Sequence, residues 1–209
     1  MTTTINSTAV TVTSSSLNFD ATNISGTFTD TIIFPSGHII QSTTQQYAVR
    51  TVVANETAKI FEHSITLKRP NSKLYIDLNT WINNFSGYVD NDIAMAVGWK
   101  TGAIATTSGA YNSAVITNSM NRQEVDGLDS FWCTDTGPTG GQGGQYWAEQ
   151  RSFRSVIDIG TQTAGTVIQV ALWVSSDGNG DDYRIGGAYS PSLTDSGGMS
   201  AITLMEIAE

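Results

Sequence analysis

Cysteine, basic side chains and long apolar runs are all scarce in this chain of 209 residues. Its single cysteine, Cys133, excludes an intrachain disulfide framework, and the sequence has no CxxC pair or His/Cys cluster for structural zinc. No apolar run approaches the roughly 20 residues of a membrane-spanning helix, so membrane insertion is not expected. Residues 1–10 lack the basic and long apolar regions of a signal peptide, which predicts a soluble product made in a cytoplasm.

Basic residues are outnumbered by acidic ones. The chain carries 10 Lys and Arg against 19 Asp and Glu, a formal net charge of −9. A surface that binds nucleic acid needs a stripe of basic side chains facing the phosphates, and no such stripe is visible. We therefore expect neither a nucleic acid nor an anionic membrane as the partner.

The chain is rich in hydroxyl side chains and glycine and poor in charged residues and proline. Only 14% of the residues are charged, 20 are Gly and 4 are Pro, while Ser and Thr are abundant. No stretch shows a convincing helical stripe. This balance is typical of an all-β protein whose polar face is built from hydroxyl groups, and 39% hydrophobic residues are enough for the core of one β-domain.

Alternating apolar and polar residues, separated by turn signals, recur from Phe34 to the C-terminus. In the last such segment Ile202, Leu204 and Glu206 fall on one face, which predicts a closing strand paired within the fold. About ten strands are predicted, a number that suits a two-sheet jelly roll, and residues 78–85 also admit a turn of helix. The predicted strands cover residues 38–41, 46–53, 59–68, 73–79, 93–99, 113–117, 145–159, 166–175, 182–189 and 201–208.

Residues 1–33 have a different texture from the rest of the chain. Their short alternating segments contain too few apolar groups for an independent core. Such a segment either packs on its own domain or serves as an arm that is ordered by sister chains or by a larger assembly. We predict the second arrangement, with an extended docking arm or shaft over residues 1–33 and a jelly-roll head domain over residues 34–209.

Two segments carry a resemblance to a known family. FPSGHIIQ, residues 34–41, and SAITLMEIA, residues 200–208, resemble the opening and closing segments of globular head domains in tail-fibre and other virion proteins of phages, particularly phages of aquatic bacteria. In that family a short fibrous section precedes the head, and the head is similar to the trimeric jelly roll of the C1q and tumour-necrosis-factor type. Residues 55–150 carry no part of the resemblance.

The resemblance implies a virion protein made in the host cytoplasm. It would be a short homotrimeric tail fibre that attaches to a glycan or protein of the host surface, with its N-terminal arm docked on other virion proteins. A capsid decoration or cement protein that stabilises the shell is compatible with the same arm and trimeric head, and a glycan depolymerase is a third alternative. The family implies no catalytic residues, so no enzymatic activity is expected.

A glycine-rich stretch, residues 137–144, lacks the Lys-Ser/Thr ending and the strand-to-helix context of a phosphate-binding loop. Its aromatic neighbours predict a long exposed recognition loop over residues 126–147, because aromatic rings stack on sugars or pack against protein. Packing in the core is the alternative for these rings. The candidate residues for binding a receptor or partner are Asp129, Phe131, Trp132, Gly140, Gly141, Tyr146 and Trp147.

Asp177, Asn179 and Asp181 alternate as the oxygen ligands of a calcium loop do. The sixth position of this loop is Asp182 where Gly is expected, and the twelfth is Ala188 where a bidentate Glu belongs. We expect a turn between two strands here, with weak Ca²⁺ binding as the alternative and no other cofactor.

Acidic side chains offer a glycosidase pair, since glycoside hydrolysis uses two carboxyl groups. Acids in the loops of an acidic protein are usually only solvated, however, and no nucleophile motif such as GxSxG occurs. His38 and His63 are expected to be structural, hydrogen-bonded side chains. The acidic candidates are Glu124, Asp126, Asp129, Asp135 and Glu149.

Overall fold

Two antiparallel β-sheets pack face to face in the computed structural model of this chain. The structure describes residues 35–47, 51–54, 57–84, 93–115, 124–125, 127–134, 147–176, 182–185 and 199–209. All of them belong to one unit, Phe34–Glu209, so the predicted arm over residues 1–33 lies outside the described part. No helix in this part is long and apolar enough to cross a membrane.

Twelve strands and one turn of 3-10 helix, Ser108–Ala110, are found in the described ranges. The first sheet contains β1 (Ile39–Tyr47), β2 (Thr51–Ala54), β4 (Lys73–Asn84), β9 (Trp147–Asp158), β11 (Asp182–Ile185) and β12 (Ser200–Ile207). The second sheet contains β3 (Thr57–Thr66), β5 (Ile93–Thr101), β6 (Asn112–Ser113), β7 (Glu124–Val125), β8 (Leu128–Thr134) and β10 (Val167–Ser176).

The strand order is that of a jelly roll. β9 pairs with β4 along its whole length, so β12 and β11 share the other edge of β4, at residues 73–79 and 82–84. In the second sheet β10 lies between β3 and β5, and β6 and β8 share the far edge of β5. Counted along the chain, the eight main strands (β1, β3, β4, β5, β8, β9, β10 and β12) run 1-8-3-6 in one sheet and 2-7-4-5 in the other. The predicted all-β jelly-roll sandwich is confirmed.

The core lies between the sheets and follows from alternation along the strands. Leu74, Ile76 and Leu78 of β4 are fully buried, with Ile202 and Leu204 of β12 beside them in register. Withdrawing these side chains from water provides the main driving force for packing the sheets. The second sheet contributes the facing residues Phe61, Ile65, Met95, Val97, Val170 and Leu172. Ile202, Leu204 and Glu206, which were predicted to share one face of the last strand, are all buried.

A smaller apolar cluster lies on the outer face of the second sheet. Trp173 of β10 is buried there and meets Tyr111 edge to face, with 5.6 Å between the ring centroids. Gly98 of β5 leaves room for this contact, since a Cβ atom at that position would lie 2.8 Å from Tyr111 Cβ. The backbone before Tyr111 thus covers part of the second sheet, and Ala105 packs against the same cluster.

Several predictions of local structure are wrong, among them the strand over residues 113–117, since β6 ends at Ser113 and Ala114 and Val115 lie outside any strand. The predicted loop over residues 126–147 contains β8, because Val125 and Leu128 pair across a two-residue hairpin in which Gly127 adopts a φ of +88°. Over residues 78–84, the described part of the segment that admitted a turn of helix, the chain is a strand, since β4 continues to Asn84 beside β9. The predicted gap between the strands at residues 38–41 and 46–53 is absent, because β1 is unbroken from Ile39 to Tyr47 in its pairing with β12, whereas residues 51–53 belong to β2.

Candidate functional site

The outer face of the first sheet carries the alternate residues of strands whose other residues fill the core. On β4, Tyr75 and Asp77 are half-buried, whereas Ile76 between them is fully buried. Residues paired in register on neighbouring antiparallel strands place their side chains on the same face. The register of β12, β4 and β9 therefore arranges this face in rows that run across the strands.

One row is apolar. Met205 of β12 lies opposite Tyr75 of β4, which lies opposite Val156 of β9, and we call these three residues the apolar row. Val156 is 45% exposed. Beside the row, Ile207 lies opposite Ile39, which is 53% exposed. Val156 and Ile39 are thus exposed apolar side chains near this row, whereas Met205, Tyr75 and Ile207 are half-buried.

The neighbouring row is polar and internally bonded. The hydroxyl groups of Thr44 and Thr203 lie 2.9 Å apart. Arg154 Nε donates to Asp77 Oδ1 at 3.2 Å, and Asn79 Nδ2 donates to the same oxygen at 3.3 Å. These bonds orient the side chains in advance, so a partner that contacts them loses less conformational entropy on binding.

A cleft of about 390 Å³ lies at one edge of the sandwich, where β9 meets β5 and β6. We call it the edge cleft. Trp99, Asn112 and Ser113 line it from the second sheet, and Val156 and Asp158 line it from β9. Its volume falls within the range of about 300–1,000 Å³ that is typical of small-molecule sites. The edge cleft therefore joins an aromatic ring, an amide, a hydroxyl group and a carboxylate.

The strands fix the positions of these cleft residues. Asn112 of β6 pairs directly with Trp99 of β5, and its Nδ2 atom lies 3.5 Å from the Trp99 carbonyl oxygen. The Trp99 ring packs partly against the core. Asp158 ends β9, where its Oδ1 atom accepts a hydrogen bond of 2.8 Å from the Gly160 backbone N–H. The second carboxylate oxygen of the exposed Asp158 side chain can meet a ligand.

The side-chain surroundings of two predicted binding residues are described, those of Phe131 and Asp129. Phe131 lies on β8, and its ring packs on Phe153 with 5.2 Å between centroids and contacts the core. Asp129 lies on the same strand, half-buried and opposite Glu124 of β7. The Phe131 ring therefore packs against the core, which was the alternative to a role in recognising a receptor.

For the other predicted binding and catalytic residues, the structure describes either the backbone pairing alone or nothing. Trp132 pairs with Met95, Trp147 with Asn84, and Glu149 with Ile82. The remainder lie outside the described residues: Asp126, Asp135, Gly140, Gly141, Tyr146, Asp177, Asn179 and Asp181. Trp99, Asn112 and Asp158, which line the edge cleft, were not singled out by the sequence, because nothing in its local patterns links them.

The remaining candidates are metal ligands and the half-buried histidine His63. Within the described ranges no group of three or more His, Cys, Asp or Glu residues is arranged to hold a metal ion. His63 Nε2 lies 3.1 Å from Thr43 Oγ1, consistent with the structural role expected of it. Burial lowers the pKa of His63, and a backbone hydrogen bond with Thr43 opposes this effect. The weak calcium site at Asp177 stays a prediction.

Comparison with known proteins finds no family model that matches the chain and no curated protein that matches it. The resemblance drawn from the sequence therefore rests on residues 34–41 and 200–208 alone.

Proposed function

We propose that this chain is a phage virion protein, a short homotrimeric tail fibre whose jelly-roll head attaches to the host surface by binding, without catalysis. The observation that carries the proposal is the apolar row of Met205, Tyr75 and Val156 on the outer face of the first sheet. Val156 is exposed and Met205 and Tyr75 are half-buried in the single chain, so contact between copies would remove further apolar surface from water. The resemblance of residues 34–41 and 200–208 supports the same reading.

A closed ring of three copies also suits attachment. In a cyclic trimer each copy uses one surface to contact a different surface of the next, and the ring closes without open ends. Three heads on one fibre then present three copies of any ligand site to the same cell. Binding at one site raises the effective concentration of the host ligand at the other two, so weak individual sites give firm attachment.

The oligomeric state is the first test. Light scattering on the purified full chain should give about three times the 22.3 kDa chain mass. Val156→Asp should dissociate the trimer, because it places a charge in the apolar row. Ile104→Asp is the matched control: Ile104 is 51% exposed but lies outside that row, so the trimer should persist. A monomeric parent protein at micromolar concentration would contradict the proposal.

Location on the particle is the second test. Gold-labelled antibody against the chain should mark the tail of intact virions. Label spread across the capsid would replace the tail-fibre proposal with the capsid decoration protein, and release of glycan fragments by the purified chain would favour the depolymerase.

Deletion of residues 1–33 should abolish incorporation into particles while the head stays folded, because every described core residue belongs to the unit Phe34–Glu209.

A further inference from the structure

We propose that the edge cleft binds a neutral or N-acetylated sugar of the host-surface glycan. This inference rests on the proposed attachment function and assigns it a site. It differs from the sequence-predicted recognition loop, because its ligand-facing residues lie on or next to β5, β6 and β9.

The chemistry of the cleft walls matches that of a pyranose ring. Such a ring has an apolar face of C–H groups and a rim of hydroxyl groups, so its binding site needs an aromatic surface together with hydrogen-bonding groups. Trp99 supplies the aromatic surface. The Asn112 amide both donates and accepts, the Ser113 hydroxyl group does the same, and the Asp158 carboxylate accepts from sugar hydroxyl groups.

Charge selects among sugars. Asp158 is the only charged residue that lines the cleft among the described residues. Its carboxylate forms strong hydrogen bonds with hydroxyl donors but repels the carboxylate of a uronic or sialic acid and the phosphate of a phosphorylated sugar. The chain's net charge of −9 acts in the same direction. The preferred ligands are therefore uncharged.

The site is held in shape before a ligand arrives. Asn112 and Trp99 are neighbours in a ladder, and the Gly160 N–H orients the Asp158 carboxylate. In the described part β9 pairs only with β4, so its other edge borders the cleft and leaves a path for a longer glycan chain. A preorganised site on strands loses little conformational entropy on binding.

The test uses the full chain and a panel of immobilised oligosaccharides that includes neutral, N-acetylated and acidic members. At least one neutral or N-acetylated member should bind, and acidic ones should not. Titration calorimetry on the best member should show binding weakened about tenfold or more by Asn112→Ala, the loss expected when hydrogen bonds to a buried ligand are removed. Gln150→Ala is the matched control, because this exposed amide on β9 does not line the cleft, and it should leave binding unchanged.

Two further variants sharpen the test. Asp158→Asn should admit acidic oligosaccharides, because it removes the repelling charge and keeps the shape. Trp99→Phe keeps an aromatic ring of smaller area and should weaken binding, with circular dichroism verifying that the fold is retained. Absence of neutral-sugar binding at millimolar concentration, or equal binding by Asn112→Ala and the parent, would overturn the site.

Subunit contact is the competing role of the cleft, because Val156 belongs both to the cleft and to the apolar row. If Asn112→Ala dissociates the trimer and no glycan binds the parent, the cleft is a contact between copies and the sugar site is wrong. Failure of the proposed function is distinguishable. A fluorescent parent protein that does not attach to host cells contradicts the function itself, whereas attachment unaffected by Asn112→Ala contradicts only the cleft.

Discussion

Ser72 Oγ donates a hydrogen bond of 2.8 Å to Glu206 Oε1 inside the protein, where both residues are buried. The same carboxylate accepts the backbone N–H groups of Lys68 and Arg69, each at 2.9 Å, and the Gln41 side-chain amide at 2.5 Å. A single acidic residue of β12 thus holds the connection between β3 and β4 and ties it to β1.

Replacing Glu206 should therefore be costly. We expect Glu206→Leu to lower the free energy of unfolding by about 3 kcal/mol or more, because two backbone donors and a hydroxyl group lose their acceptor in a buried place. Urea denaturation measures this change. Glu209→Leu is the control: its exposed ion pair with Lys73, at 3.4 Å, should contribute less than about 1 kcal/mol. Equal stability of the two variants would contradict the buried anchoring role.

Gly98 should tolerate no side chain. A Cβ atom there would lie 2.8 Å from Tyr111 Cβ and 3.0 Å from Leu128 Cδ1, so Gly98→Ala forces the covering segment away from the second sheet. We expect a loss of about 1–3 kcal/mol in unfolding free energy, measured by thermal or urea denaturation. At Gly109 an added Cβ meets no atom within 4 Å, so Gly109→Ala should have the same melting temperature as the parent protein. A stable Gly98→Ala protein would show that Tyr111 moves freely.

Leu204 and Met205 are neighbours on opposite faces of β12. Leu204→Asp places an uncompensated charge in the core between the sheets, where Leu204 is fully buried, and should unfold the β-sandwich. Met205→Asp changes the apolar row instead and should leave the fold intact while dissociating the proposed trimer. Circular dichroism and light scattering separate the two effects. A folded Leu204→Asp protein would refute the buried assignment, and a trimeric Met205→Asp protein would remove the apolar row from the subunit contact.

Stability should depend on the charge state of His63. Burial lowers the pKa of this imidazole below its ordinary value of 6.5, so near that pH the unfolded chain binds a proton more readily than the folded one. The stability contribution is complete above pH 6.5 and is lost as the pH falls through that value toward the folded pKa. Unfolding free energies at about pH 7.5 and about pH 5.5 should differ more for the parent than for His63→Gln. Identical pH dependence in both proteins would contradict the expected linkage.

Local patterns in the sequence were sufficient to predict the class of fold. The alternation of Ile202, Leu204 and Glu206 predicted both the last strand and its buried face, because side chains on a strand alternate regardless of what the strand pairs with. The same reasoning failed for β8. Its residues, Leu128–Thr134, lie next to a glycine-rich stretch and their aromatic rings suggested recognition, whereas pairing with β5 makes them a strand.

The arrangement of groups from distant parts of the chain was decided only by the tertiary structure. The sequence pattern identifies Glu206 only as a member of one strand face. In the folded protein, the connection before β4 places the backbone N–H groups of Lys68 and Arg69 against its carboxylate. Trp99 and Asp158 meet at the edge cleft because one sheet packs on the other. Periodicity reports which face of a strand is apolar, but sheet order and register determine which side chains become neighbours, and those depend on contacts between residues far apart in sequence.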